Sequence, residues 1–373
     1  MKPFLTLAPL ALALLTANVH ASYYTQNTEQ QRIYFPDEVR PLVEDFVAPS
    51  STKSLEPGQK IDHLFDRQFN GTEATIQKLG DQTYWIGVNY YSATVIINEA
   101  GVLVIDPLGD HRIDPLIEAI KSLTDKPITA IMYSHYHLDH VGGGNQLKEA
   151  IEREYPGVGP LRIISGKQVA KKINEHSVVN EQGIREPKVP APNEVYDLTR
   201  PQRVKFGSRY IHLIAPIGSG HTPDNTLIMI PEDRVVHFAD MINPDQLPFY
   251  NFAGAENFHG YEKDLSSLLG KRLSSHWDFI NGGHGNIGSK QDVKALLTYI
   301  EDLRTEVGKQ LEIAPYTPLE SDGNHFIWAK RWQDEITSKV QDALEPKYGD
   351  KYGFSSGVVE THAAMVLSDM IDH

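Results

Sequence analysis

The chain contains no cysteine among its 373 residues, so neither a disulfide nor a thiolate ligand is available, and stability has to come from packing and from whatever the protein binds. Basic residues are also short, 35 Lys and Arg against 49 Asp and Glu, a formal net charge of −14. A polyanionic partner would be repelled, which excludes nucleic acid. Beyond the amino terminus no stretch is apolar for long enough to cross a bilayer, and no internal repeat or low-complexity tract interrupts the chain. What remains is ordinary globular material, 40% hydrophobic and 23% charged, long enough for one large domain or two small ones.

The amino terminus stands apart. Lys2 precedes an apolar run over 4–15, too short to span a membrane, and Val19-His20-Ala21 follows as a small-residue cleavage pattern. This predicts a signal peptide over 1–21, cut after Ala21, and export to a bacterial periplasm or beyond; an uncleaved anchor is the alternative. Loss of Lys2 makes the mature chain still more acidic.

Residues 22–81 mix Gln, Glu, Pro and Ser with sparse apolar positions and predict an irregular arm, with short helices around 37–46 and 61–69. From 82 the pattern turns β. Strands are expected over 82–88, 93–98 and 102–106, the last two joined by a turn at Glu99-Ala100-Gly101. A helix over 114–123, a buried strand over 128–133, a helix over 146–153, a strand over 161–165 and a helix over 167–174 follow. Prolines 187, 190 and 192 mark an exposed loop over 186–193. Strand character resumes over 203–216, 226–230 and 235–239, then a helix over 261–271 and a last strand over 277–281. After 288 three helices are expected, over 290–312, 326–344 and 358–371, a C-terminal helical extension spanning 289–373.

The chain is organised around Ser134-His135-Tyr136-His137-Leu138-Asp139-His140-Val141-Gly142-Gly143-Gly144. Four metal-ligand side chains fall within six positions, between a strand-like run and a glycine turn. His135 and His137 are two apart and can point one way; Asp139 and His140 follow where the backbone curls and can serve a second point. One stretch can therefore feed two metals, and imidazole with carboxylate suits zinc, although iron and manganese accept the same set. More candidates follow in order: His221 in Gly220-His221-Thr222-Pro223-Asp224-Asn225, Asp240 after Val235-Val236-His237-Phe238-Ala239, and His284 in Asn281-Gly282-Gly283-His284-Gly285. Each sits where a strand gives way to a loop.

This ordered set, His-x-His-x-Asp-His, then a lone His, an Asp and a last His, resembles the metallo-β-lactamase superfamily of dinuclear metal hydrolases, over about 82–288. The resemblance implies a four-layer αββα sandwich with two Zn2+ per chain. His135, His137 and His221 would hold the first, Asp139, His140 and His284 the second, and Asp240 would bridge them. A shared water brought toward neutral pKa would then attack an acyl bond of a small-molecule substrate, with Asp139 orienting it or taking its proton. Among zinc β-lactamases a cysteine commonly stands at the Asp240 step, whereas lactonases, glyoxalase II and phosphodiesterases carry the aspartate. Asn243 stands where many β-lactamases have lysine and some lactonases tyrosine, and it can donate a hydrogen bond to an oxyanion. The resemblance thus leaves two acyl substrates open, a β-lactam amide and a lactone or ester. Sulfate- or phosphate-ester hydrolysis, iron-dependent redox chemistry and non-catalytic metal binding are the alternatives.

Further residues have two readings. Asp106 matches a family aspartate behind a ligand histidine, or caps a strand end. The aromatic loop over 241–258 is either a substrate wall with Tyr250 as its polar contact, or plain packing. His237, His259 and His362 have no partner pattern and read as surface or core.

Overall fold

The computed structural model describes residues 54–61, 64, 74–109, 112–314 and 323–372. The leader expected over 1–21 and the helix expected around 37–46 lie outside them, as does the helix expected over 61–69 apart from Ile61 and Leu64. By internal contacts the chain divides into two compact units, one of Leu42–Pro244 with Ala255–Ala295, the other containing Asp245–Gly254 and Leu296–His373.

Among the described residues, the first unit is built on sixteen short strands: β1 (Ser54–Leu55), β2 (Ala74–Lys78), β3 (Thr83–Val88), β4 (Tyr91–Asn98), β5 (Gly101–Ile105), β6 (Ile128–Tyr133), β7 (Arg162–Gly166), β8 (Val178–Val179), β9 (Arg185–Glu186), β10 (Glu194–Tyr196), β11 (Gln202–Phe206), β12 (Arg209–Ile214), β13 (Leu227–Ile230), β14 (Val235–His237), β15 (Phe279–Asn281) and β16 (Gly288–Ser289). One sheet has the order β1-β2-β3-β4-β5-β6-β7-β10, a second runs β11 to β16 in sequence, and β8 with β9 forms a separate hairpin. β2 to β5 form an antiparallel meander, after which β5, β6, β7 and β10 are parallel neighbours. Its helices are α1 (Ile113–Leu123), α2 (Leu138–Val141), α3 (Gly144–Glu154), α4 (Lys167–Glu175) and α5 (Phe258–Leu269).

Period-2 alternation decides the layers. Val102 and Val104 face one way, with Ile86, Val88, Val95 and Ile131, into a core closed by Leu116 and Ile120 of α1, Leu147 of α3 and Val169 of α4. Leu103 and Ile105 face the other way, with Trp85, Ile96 and Met132, and meet Val204, Phe206, Ile211, Ile228 and Val235 of the second sheet. Beyond that sheet, α5 buries Tyr261, Leu265 and Leu268, and the Trp277 indole donates to the Leu268 carbonyl (3.0 Å). The architecture is an α/β sandwich of the αββα kind with helices at its C-terminal end.

Two local readings change. Ser54–Leu55 and Ala74–Lys78 are strands, not irregular chain. Their polar residues disguised them: Gln77 is buried, its amide oxygen accepting from Gly58 N (2.8 Å) and its nitrogen donating to Gln59 O (2.7 Å). And 203–216 is not one strand but the β11–β12 hairpin, turned at Gly207, whose φ of +54° and close approach to the Asn98 side chain suit glycine.

In the second unit the helices are α6 (Lys290–Ile313, from Leu296 onward), α7 (His325–Tyr348) and α8 (Val358–Asp372). α7 buries Trp332, Ile336, Val340 and Leu344, and α8 buries Val359, Ala363, Val366 and Leu367, apolar positions at helical spacing. No described helix is long and apolar enough to cross a membrane.

Candidate metal centre

All seven candidate ligands stand beyond the ends of strands. β6 ends at Tyr133, and the next residues carry His135 and His137 before turning into α2, which carries Asp139 and His140. His221 lies in the loop before β13, Asp240 follows β14, and His284 follows β15. The β14–β15 pairing is parallel, so both strands deliver their carboxyl ends to the same side. Asp264 of α5 holds the His221 loop, its carboxylate accepting from Gly218 N (2.7 Å) and Gly220 N (2.9 Å). Gly283 has φ +79°, and a Cβ there would lie 2.6 Å from the His140 ring, so only glycine lets His284 approach His140.

The side chains converge in two groups, His135, His137, His221 and Asp240 in one, Asp139, His140 and His284 in the other. Asp240 reaches both. Its Oδ2 lies 3.2 Å from His135 Nε2, 3.0 Å from His221 Nε2 and 3.1 Å from His140 Nε2, while Oδ1 lies 2.9 Å from His284 Nε2. Asp139 Oδ2 is 3.4 Å from both His140 Nε2 and His284 Nε2. His221 Nε2 approaches His137 Nδ1 to 3.2 Å, and His284 Nε2 approaches His140 Nε2 to 3.0 Å.

These contacts test whether cations fit. His135 Nε2 is buried and makes no hydrogen bond. Five imidazoles turn nitrogens toward one another and toward two carboxylates, a donor set that suits a borderline metal and not a hydrophobic core. Burial pushes His135 down, and burial with its neighbours His135 and His221 pushes His137 down to about 3, so both are bare ligands at neutral pH. Burial works to raise Asp139 and Asp240, but the surrounding histidines outweigh it and hold both carboxylates ionised.

Behind the ligands runs a buried hydrogen-bond chain. Asp106 accepts from Ser134 N (2.8 Å), Ser134 Oγ (2.6 Å) and His237 Nε2 (2.9 Å), and Ser134 Oγ is 2.9 Å from His135 Nδ1. His237 Nδ1 is 3.1 Å from Thr94 Oγ1, which accepts from Asn281 Nδ2 (3.0 Å). Asp106 therefore backs the candidate ligand His135, through Ser134. His237, which had no partner pattern in the sequence, is a fully buried link in this chain. Alternation carried the missing signal: His237 lies two positions after Val235 and faces the same inter-sheet space.

The residues expected around the ligands divide. Asn243 is buried, and its Oδ1 accepts from Tyr90 OH (3.4 Å), whose ring lies 5.4 Å from that of His284. Tyr250 belongs to the second unit, where its hydroxyl donates to Ser356 O (3.0 Å). Phe252, from the same aromatic stretch, is buried against His362 with ring centroids 4.2 Å apart, which is packing.

A model of the metallo-β-lactamase superfamily matches residues 86–284, just over half of the chain, and both donor groups lie within the match. The chain belongs to the metallo-β-lactamase superfamily. Among curated relatives it is 22% identical over 250 residues to a metallo-β-lactamase type 2 of Bacillus sp. (strain 170), covering 65% of this chain and 87% of that protein. It is 24% identical over 254 residues to the metallo-β-lactamase type 2 of Bacillus cereus, with coverage of 65% and 88%. A solved metallo-β-lactamase from Pontibacter korlensis aligns with 61% of this chain and 98% of its own, at 17% identity and TM-score 0.48. These relatives are metal-dependent hydrolases, and the His/Asp groups are where this chain would hold its metal.

Proposed function

We propose that the protein is an exported dinuclear zinc hydrolase of acyl bonds, acting on the amide of a β-lactam. The observation that carries this reading is the convergence on Asp240, four histidine Nε2 atoms within 3.2 Å of one carboxylate. His135, His137 and His221 would hold one zinc and Asp139, His140 and His284 the other, with Asp240 between. When bound, the pair supplies an acidified water and polarises the acyl carbonyl. The chain's own residues do the rest. Asp139 keeps 40% of its side-chain surface exposed, so its carboxylate faces the reactants and can orient the attacking water. The Asp106–Ser134 pair keeps the His135 lone pair aimed forward. Buried Asn243 has an amide nitrogen to offer a developing oxyanion.

The type 2 metallo-β-lactamases among the relatives support the β-lactam reading. A lactone or ester is the second reading, supported by a carboxylate at 240 and an amide at 243, where the β-lactamase pattern has cysteine and lysine. Export is inferred from Lys2, the apolar run over 4–15 and Ala21. The processed chain, expressed in a Gram-negative host, is expected in the periplasmic fraction with Ser22 at its amino terminus.

Zinc-loaded protein is expected to hydrolyse a chromogenic cephalosporin or a member of a lactone panel, and Asp240→Ala to fall to background on both. A protein shown to hold two zincs that turns over neither would refute the reading.

A further inference from the structure

A recess of about 320 Å³ opens beside two of the candidate ligands, His137 and Asp139. Tyr136 and Leu138 line it on one side, and Lys188 and Val189, from the proline-bounded stretch after β9, line it on another. Its third wall is the end of α4, where Ile173 and His176 face in. The β8–β9 hairpin joins the second and third walls, leaving one from His176 and returning to the other at Lys188.

The walls are apolar, but basic groups surround them. The His176 ring is stacked on Tyr136 (centroids 4.5 Å apart, 30° between planes), and Lys172 Nζ lies 5.4 Å from the Tyr136 centroid. His176 Nδ1 donates to Lys172 O (2.9 Å), which leaves Nε2 for another partner. Neighbouring Lys171 is paired with Glu175 (3.6 Å), whereas Lys172 and Lys188 make no ion pair among the described residues. The one carboxylate lining the recess, Asp139, is engaged by His140 and His284. In a chain with a formal net charge of −14, an apolar recess with one unpaired lysine in its wall and a second over the Tyr136 ring selects for negative charge.

We propose that this recess holds the non-reacting end of the substrate, an apolar group bearing a carboxylate or similar monoanion. The apolar part lies against Tyr136, Leu138 and Val189, and the anion meets Lys188, with Lys172 adding its charge from beside Tyr136. Its volume is at the small end for ligand sites, so it takes one substituent and not a whole molecule. The neighbouring His137 and Asp139 then set the scissile acyl bond at the recess mouth. The proposal rests on the acyl-hydrolase reading above and adds the charge and polarity of the substrate.

The test compares matched pairs on the zinc-loaded full chain: a chromogenic cephalosporin and its methyl ester, and 4-nitrophenyl hydrogen adipate and its methyl ester. The quantity read is the ratio of kcat/KM for the anionic member to that for the neutral one. Lys188→Glu is expected to lower this ratio roughly tenfold, chiefly through KM, and Lys172→Gln severalfold, while Lys171→Gln leaves it as it was. The preference should also shrink at high salt, as charge attraction at an exposed site does. A ratio in Lys188→Glu equal to the parent's overturns the proposal and leaves the hydrolase reading standing. If the parent hydrolyses neither pair, the hydrolase reading is left to the lactone panel above, and equilibrium binding of phenylacetate against phenylacetamide decides the recess. Tighter binding of the anion, lost in Lys188→Glu, supports it; equal binding of the two probes overturns it.

Discussion

The orientation of each hydrogen bond behind the metal centre follows from its neighbours. Asn281 Oδ1 accepts from Ser92 Oγ (2.8 Å) and Gly283 N (2.9 Å), so Nδ2 is the end that donates to Thr94. The Thr94 hydroxyl then gives its proton to His237 Nδ1, and His237 gives its Nε2 proton to Asp106. With Asp106 taking the Ser134 hydroxyl proton, Ser134 Oγ accepts from His135 Nδ1. His135 is left with a bare Nε2 on the side of Asp240. One tautomer is thus set at each ring, and partners of this kind typically change metal affinity by about 10–100-fold. His237→Ala is expected to weaken zinc binding roughly tenfold or more in competition with a chromophoric chelator, and His237→Gln, which can still donate to Asp106, to recover most of it. Equal affinities for all three proteins would show that the chain is mere core packing. The ligands were legible from spacing because His-x-His-x-Asp-His is local. His237 was not, because its partners, Thr94 in β4 and Asp106 just after β5, are more than 130 residues away in sequence.

At the scale of an element, Tyr250–Gly254 is a turn of left-handed helix built from ordinary residues: Asn251, Phe252 and Ala253 have φ of +54°, +52° and +56°. Each costs roughly 1–2 kcal/mol over the right-handed form. α8 and α6 supply what offsets this. Thr361 Oγ1 accepts from Asn251 N (3.2 Å), His362 Nε2 donates to Phe249 O (3.1 Å), and Tyr299 OH donates to His362 Nδ1 (2.9 Å). The sequence announced the helices through their 3.6-residue period, but no propensity predicts a left-handed turn, since its cause is the groups packed on it. Burial pushes His362 down to about 4, so the folded chain keeps it neutral while the unfolded chain takes up a proton near pH 6.5. Its contribution is therefore complete above pH 6.5 and is lost as pH falls toward 4, a loss of about 3 kcal/mol. Comparing denaturant midpoints at pH 7 and pH 4.5, the parent should lose about 2–3 kcal/mol more than His362→Gln does. Parallel pH profiles for the two proteins would remove His362 from the account.

For the molecule as a whole, the absence of cysteine and the scatter of the ligands bear on the same question of what fixes the two sheets together at the site end. His135, His137, Asp139 and His140 follow a strand of the first sheet, while Asp240 and His284 follow strands of the second and His221 precedes one. A bound metal pair would therefore cross-link the sheets where no disulfide can. Binding to the folded state alone stabilises by about 2.7 kcal/mol when free metal is 100-fold above its dissociation constant, which in a unit of this size is worth about 5–10 °C in Tm. Chelation should lower the midpoint by that amount and raise amide exchange over 134–144, 217–226, 238–243 and 281–286, the segments that carry the ligands. A reductant should change neither. Asp264→Ala should shift the metal-loaded midpoint more than the chelated one, because its two backbone hydrogen bonds position His221 and so act through the metal as well as through α5. If chelation left the midpoint and the exchange pattern unchanged, the seven side chains would be holding the sheets by themselves, and the metal would have no part in the fold.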